Sequence, residues 1–160
     1  MKKHFSLLLA VLMLCICLAG CVAKETTAPH SYEDLTIRIP ADFPDLSDAD
    51  FAQGFSFVFG LDPIAVNGLR EEKATFRAYG LEPDIRQYGE WILAANHVSA
   101  ELSQKDGIWT FSYPSGDYTY LVTLWETRDA FWTVQAYCPT VDFPRCEQEM
   151  WQILSSVTVN

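Results

Sequence analysis

The sequence predicts an α+β domain: an antiparallel β-sheet of about six to seven strands, covered by helices on both faces. Two observations carry this. The turn signals Asp106-Gly107 and Pro114-Ser115-Gly116-Asp117 separate consecutive extended segments, as in a meander of antiparallel neighbours. Those segments are apolar on both sides: Tyr118, Tyr120, Val122 and Leu124 mark one side of a strand, Leu121 and Trp125 the other. A sheet with one wet face alternates cleanly, so helices should cover part of the second face. Two helical periodicities answer that need, Ile85, Tyr88, Ile92 and Ala95, and Cys146, Met150, Ile153 and Leu154.

Residues 1–20 read as a secretory signal peptide. Lys2 and Lys3 precede an unbroken apolar run from Leu7 to Ala19, followed by small residues. A transmembrane anchor is the alternative, but the run stops at Gly20 and meets Lys24 and Glu25, short of the ~20 apolar residues a span needs. The string Leu18-Ala19-Gly20-Cys21 resembles the lipobox of bacterial lipoproteins, where cleavage leaves a lipid-modified Cys21 as the mature N-terminus. The expectation is a protein lipid-anchored to the cell membrane on its extracytoplasmic side. Residues 21–34 are polar, contain Pro29 and show no apolar periodicity, so they read as a lipidated flexible tether with His30 solvated. Residues 35–160 are expected to form a single domain.

Within that domain Leu35, Ile37 and Ile39 alternate with Thr36 and Arg38, a half-buried strand ended by Pro40. Phe55 to Gly60 reads as a strand with three phenylalanines on one face, and Asp62-Pro63 turns it into Ile64 to Leu69. A short helix over Glu71 to Tyr79 stops at Gly80, with Phe76 and Tyr79 on one side. Pro83 at the first helical position and Asp84 open the next helix. Strands follow over Ala100 to Lys105, Ile108 to Tyr113, Tyr118 to Glu126 and Phe131 to Cys138. Trp132, Val134 and Ala136 oppose Phe131 and Tyr137 in the last of these. Asp142 and Pro144 start a closing helix, and Val157 and Val159 a short final strand.

Cleavage would leave nine basic against 21 acidic residues, a net charge of −12. Such a surface repels polyanions, so nucleic acid is a poor partner. Four aspartates, Asp42, Asp45, Asp48 and Asp50, invite a calcium reading, but they lack the alternate spacing, turn glycine and distal Glu of a calcium loop. Turn and capping roles fit them better. His97 and Glu101 lie four apart with no third ligand in view, and a zinc site needs at least three, so no metal is expected. Cys138 and Cys146 are a candidate disulfide in an oxidising exterior; two buried free thiols are the alternative. No G-x-S-x-G, C-x-x-C, H-E-x-x-H or Gly-rich phosphate loop is present, and no catalytic residue or cofactor is assigned.

The order of segments, with Ile39-Pro40, the Phe57-Val58-Phe59-Gly60 core, Gly68-Leu69-Arg70-Glu71, a helix carrying Tyr88 and Ala95-Asn96, a meander, a helix and terminal Ser156-Val157, resembles the PsbP-like domains. These include photosystem extrinsic proteins and many small bacterial lipoproteins. The resemblance spans about Leu35 to Val159 and implies an antiparallel sheet sandwiched between helices, with a non-enzymatic accessory role and no binding residues to carry over. The expected function is a lipid-anchored, monomeric interaction domain that docks a protein or envelope partner. Trp91, Trp109, Trp125, Phe131, Trp132 and Tyr137 would be its contact patch if exposed together. The alternative is a small-ligand or cation binder, using a pocket between sheet and helices or the acidic segment from Asp42 to Asp50.

Overall fold

A computed structural model describes residues 26–160; the segment read as a signal peptide and Cys21, the expected lipidation site, lie outside the described residues. The chain runs β1 Thr27–Tyr32, β2 Leu35–Pro40, β3 Phe57–Leu61, β4 Ile64–Glu72, α1 Lys73–Ala78, α2 Ile85–Ala95, β5 Ser103–Lys105, β6 Ile108–Ser115, β7 Tyr118–Glu126, β8 Ala130–Pro139, α3 Phe143–Ser155 and β9 Thr158–Val159. One antiparallel sheet has the order β3-β4-β8-β7-β6-β5, and a smaller one the order β1-β2-β9.

Successive side chains on a strand point to opposite faces, so the large sheet feeds two cores. On one face Phe57, Phe59, Val66, Trp132, Val134 and Ala136 are buried against Met150, Ile153 and Leu154 of α3 and against Leu35, Ile37 and Ile39 of β2. On the other, Phe111, Val122, Leu124 and Phe131 pack around Tyr88 of α2, with Phe76 of α1 beside them. Helices do cover both faces. Gly89 lets α2 lie close to the sheet, since a Cβ there would sit 2.6 Å from Leu124 Cδ1. The helix starts on a capping box: Asp84 Oδ1 accepts from Gln87 N, and Gln87 Oε1 from Asp84 N.

Several elements differ from the sequence reading. The tether is shorter than expected, because residues 27–32 form β1, paired with β2 from Thr27↔Pro40 to Tyr32↔Leu35. The inward residues of β1 are Ala28, His30 and Tyr32; Tyr32 stacks on Phe57 at 4.6 Å, and His30, expected in solvent, meets Phe59 edge-on at 4.6 Å. β2 pairs only within the small sheet. Phe55 leaves the row of phenylalanines, since β3 begins at Phe57 and Gly54 takes φ +91° just before it. β4 runs on to Glu72 and delays α1, so Tyr79 falls beyond the helix and is 80% exposed, apart from Phe76. Asp84 is the N-cap of α2, which puts Pro83 outside the helix. That helix ends at Ala95, and His97 sits at φ +52°, so His97 and Glu101 do not share a helical face.

A polar clamp joins the two sheets. Asp34, in the β1–β2 turn, accepts from Trp132 Nε1 (2.8 Å), Thr127 Oγ1 (2.6 Å) and Arg70 Nε (3.3 Å). Arg70 also pairs with Glu33 at 3.0 Å and with Glu72. Burial pushes the Asp34 carboxyl up, but these donors together outweigh it and hold the group at about 2.

A cleft between the second helix and the sheet

The α2 face of the large sheet is built in rows fixed by strand register. One row runs Val58, Asn67, Gln135, Val122 and Phe111 across β3, β4, β8, β7 and β6. The next toward α1 is Leu69, Thr133, Leu124 and Trp109. At 11 residues, α2 is only about 16 Å long at 1.5 Å per residue, too short to cover every row. A cleft of about 440 Å³ remains between α2 and the sheet, with Asn67, Leu69, Val122, Phe111 and Gln135 on its floor side. Phe76, Trp91, Ile92 and Val98 wall it, and Phe55 and Trp91 are partly exposed where it opens.

Its polar groups are few. Asn67 is 4% exposed, and its Oδ1 is buried with no hydrogen-bond donor. A buried amide oxygen left so costs about 1–3 kcal/mol, and a strand position that carries it needs an explanation. At the other end, Tyr88 stacks on Phe131 with ring centres 4.5 Å apart and donates its hydroxyl to Glu71 Oε2 at 2.6 Å, while Thr133 Oγ1 lies 3.0 Å from the same hydroxyl. Burial first, and then the Glu71 hydrogen bond, push the Tyr88 phenol far above its ordinary value. It remains a neutral donor at any physiological pH. Glu71 pairs with no Lys, Arg or His among the described residues, unlike its neighbours Glu72 (Arg70) and Glu126 (Lys73, 2.6 Å). The cleft lining contains no Lys, Arg or His.

Beyond the cleft the sheet face continues as a row of tyrosines, with Tyr113 stacked on Tyr120 at 5.1 Å and Tyr120 on Tyr137 at 5.0 Å. The six aromatic residues that would form a contact patch if exposed together are not exposed together. Phe131 and Trp132 are fully buried on opposite faces, Trp109, Trp125 and Tyr137 are half-buried, and Trp91 alone of the six is exposed, at 39%. Asn67 and Glu71 were not singled out in the sequence; the available signal was an amide inside the apolar run Ile64-Ala65-Val66-Asn67, where a strand rarely tolerates one.

The acidic segment does turn chemistry. Asp45 Oδ1 accepts from Ser47 N at 2.9 Å and from Ser47 Oγ at 2.6 Å, and Ser47 Oγ accepts from Val58 N. Asp42 borders a second hollow of about 580 Å³ with Asp62 and Glu149. Among the described residues no group of three or more His, Cys, Asp or Glu is placed to hold a metal ion. Cys138 on β8 and Cys146 on α3 are buried free thiols; burial, then the neighbouring Cys146, push the Cys138 thiol up to about 11. Among the described residues no helix is long and apolar enough to cross a membrane.

No protein-family model matches the chain, and no curated protein matches it in sequence. Among solved structures it aligns with cyanobacterial PsbP (CyanoP) from Synechocystis sp. at a TM-score of 0.57 and 14% identity, over 88% of this chain and 96% of that one. A crystal structure from Bacteroides thetaiotaomicron aligns at a TM-score of 0.45 and 14% identity, over 79% of this chain and 45% of that one. The alignment extends over almost the whole length of CyanoP. The chain therefore has the PsbP-like fold.

Proposed function

We propose that this chain is a lipid-anchored, extracytoplasmic accessory domain that works by binding and not by catalysis, and that the cleft under α2 is its binding site. One observation carries the second half: a mostly apolar cleft of about 440 Å³ contains a buried amide, Asn67, whose oxygen lacks a donor. Ligand sites combine an apolar lining with a small number of placed polar groups in this size range. The anchoring half rests on the signal-peptide layout of residues 1–20 and on Leu18-Ala19-Gly20-Cys21. The acidic surface argues against a nucleic-acid partner.

The test is thermal unfolding of the mature domain, residues 22–160, against a panel of small metabolites and divalent cations with a chelator control. A ligand of the native state raises the midpoint by mass action, about 2.7 kcal/mol at a hundredfold excess over its Kd. A saturable rise that disappears in Asn67→Leu is the expected result. No rise across the panel would set the small-ligand function aside. A second reading, docking of an envelope protein, draws on Tyr79, Leu81 and Trp91, which are 80%, 43% and 39% exposed on α2 and the segment before it. Crosslinking from these positions in intact cells tests it.

A further inference from the structure

We infer that the cleft takes an organic ammonium: an apolar or aromatic body with a protonated amine held at Glu71 and an N–H or O–H donor for Asn67. This rests on the reading of the cleft as a binding site and adds the chemistry of its ligand. Glu71 is the one charged side chain in the lining, and no cation is there to receive an anionic group. Its carboxylate is half-buried and takes a hydrogen bond from a neutral phenol, while Glu72 and Glu126 at the same end of the sheet already have cationic partners. A ligand ammonium supplies the partner that Glu71 lacks.

The surrounding rings suit the same charge. Phe76 lies between Tyr88 (6.0 Å) and Trp91 (6.2 Å), so aromatic faces and edges crowd the Glu71 end, where a cation gains from ring quadrupoles. Asn67 stands four residues from Glu71 on the same face of β4, about 13 Å away at ~3.3 Å per residue, with Leu69 between them. Rotation of the amide about χ2 exchanges its oxygen and nitrogen, so Asn67 can turn an acceptor toward the ligand. The cleft is thus acidic at one end, apolar in the middle and amide-lined at the other. The net charge of −12 expected after cleavage draws cations toward it and repels anions.

Three probes with one ring system and different charge test this by titration calorimetry on residues 22–160: tryptamine (cation), 3-methylindole (neutral) and indole-3-acetate (anion). The expected result is saturable tryptamine binding, about tenfold weaker binding of 3-methylindole, and none of indole-3-acetate. Glu71→Gln, which keeps an acceptor for Tyr88, should bring tryptamine down to the 3-methylindole level and leave 3-methylindole unchanged, at an unaltered unfolding midpoint. Equal binding of all three, or tryptamine binding indifferent to Glu71→Gln, overturns the ammonium inference while the binding site stands. Failure of all three probes to bind overturns the ammonium inference, and the binding site itself falls only if the metabolite and cation panel also gives no shift.

Discussion

Replacing Asp34 by alanine should destabilise the domain by about 2–3 kcal/mol, a figure reached in two ways from the same set of contacts. The first is the hydrogen-bond inventory. Trp132 is fully buried and its indole N–H has Asp34 as acceptor, so the truncation strands a buried donor at a cost of about 1–3 kcal/mol. Arg70 keeps Glu33 and Glu72, and Thr127 Oγ1 has the Ala130 carbonyl within 3.2 Å, so those two partners add little. The second is proton linkage. A carboxyl at about 2 in the fold, against 3.8 for the ordinary group, contributes about 2 kcal/mol at 1.36 kcal/mol per pH unit of difference. Because the folded value is depressed, that contribution is fully present above about pH 4 to 5 and is lost as pH falls through 2. Urea unfolding of residues 22–160 at pH 7, and then down a series to pH 2, measures both. Asp34→Asn retains an acceptor for the indole and should recover part of the loss at pH 7 without the acid dependence. A loss below about 0.5 kcal/mol for Asp34→Ala, or the same acid profile in wild type and variant, would refute the clamp as described.

Other outcomes follow from single contacts. Gly68→Ala places a Cβ 2.3 Å from Phe57 Cε1 inside the α3-side core, so it should lower stability by about 1–3 kcal/mol or more, read by the same urea assay. Tyr88→Phe removes the donor to Glu71 and should cost about 1 kcal/mol; a stabilised variant would mean that the hydroxyl is not paired as described. Mild oxidation of the native domain should join Cys138 to Cys146 and stabilise it by about 2–3 kcal/mol for so short a loop; two countable thiols in the unfolded, oxidised protein would show that no bridge forms. Cys21→Ala should move the protein from the membrane fraction to the soluble one, and retention there would remove the lipid anchor from the proposal.

The central meander was legible because its signals are local. Tyr118–Glu126 is bounded as the alternation indicates, and the division of β8 into Trp132, Val134 and Ala136 against Phe131 and Tyr137 follows from a period of two. β1 was not, because its pattern hides in the half-buried Ala28, His30 and Tyr32, and the last two meet partners far along the chain, Phe59 and Phe57. A histidine on an aromatic ring leaves no hydrophobic signature in one dimension. The cleft was foreseen only as a kind of place, a pocket between sheet and helices. Its residues depend on which rows α2 leaves uncovered, and that is set by helix length against sheet width and by the close approach at Gly89. The isolation of Glu71 is likewise a matter of which lysines and arginines its neighbours have already claimed.

On the lipid anchoring proposed for Cys21, the first strand also sets the length of the leash. With β1 beginning at Thr27, a lipid on Cys21 has six residue steps in which to reach the bilayer, at most about 20 Å even if fully drawn out. A body so closely moored has a restricted choice of orientation. β1 lies on the α3 side of the large sheet, against Phe57 and Phe59, whereas the cleft opens on the α2 side. On that proposed anchoring, a short mooring would set the α3 side of the sheet nearer the headgroups and the mouth beside Trp91 and Phe55 farther from them.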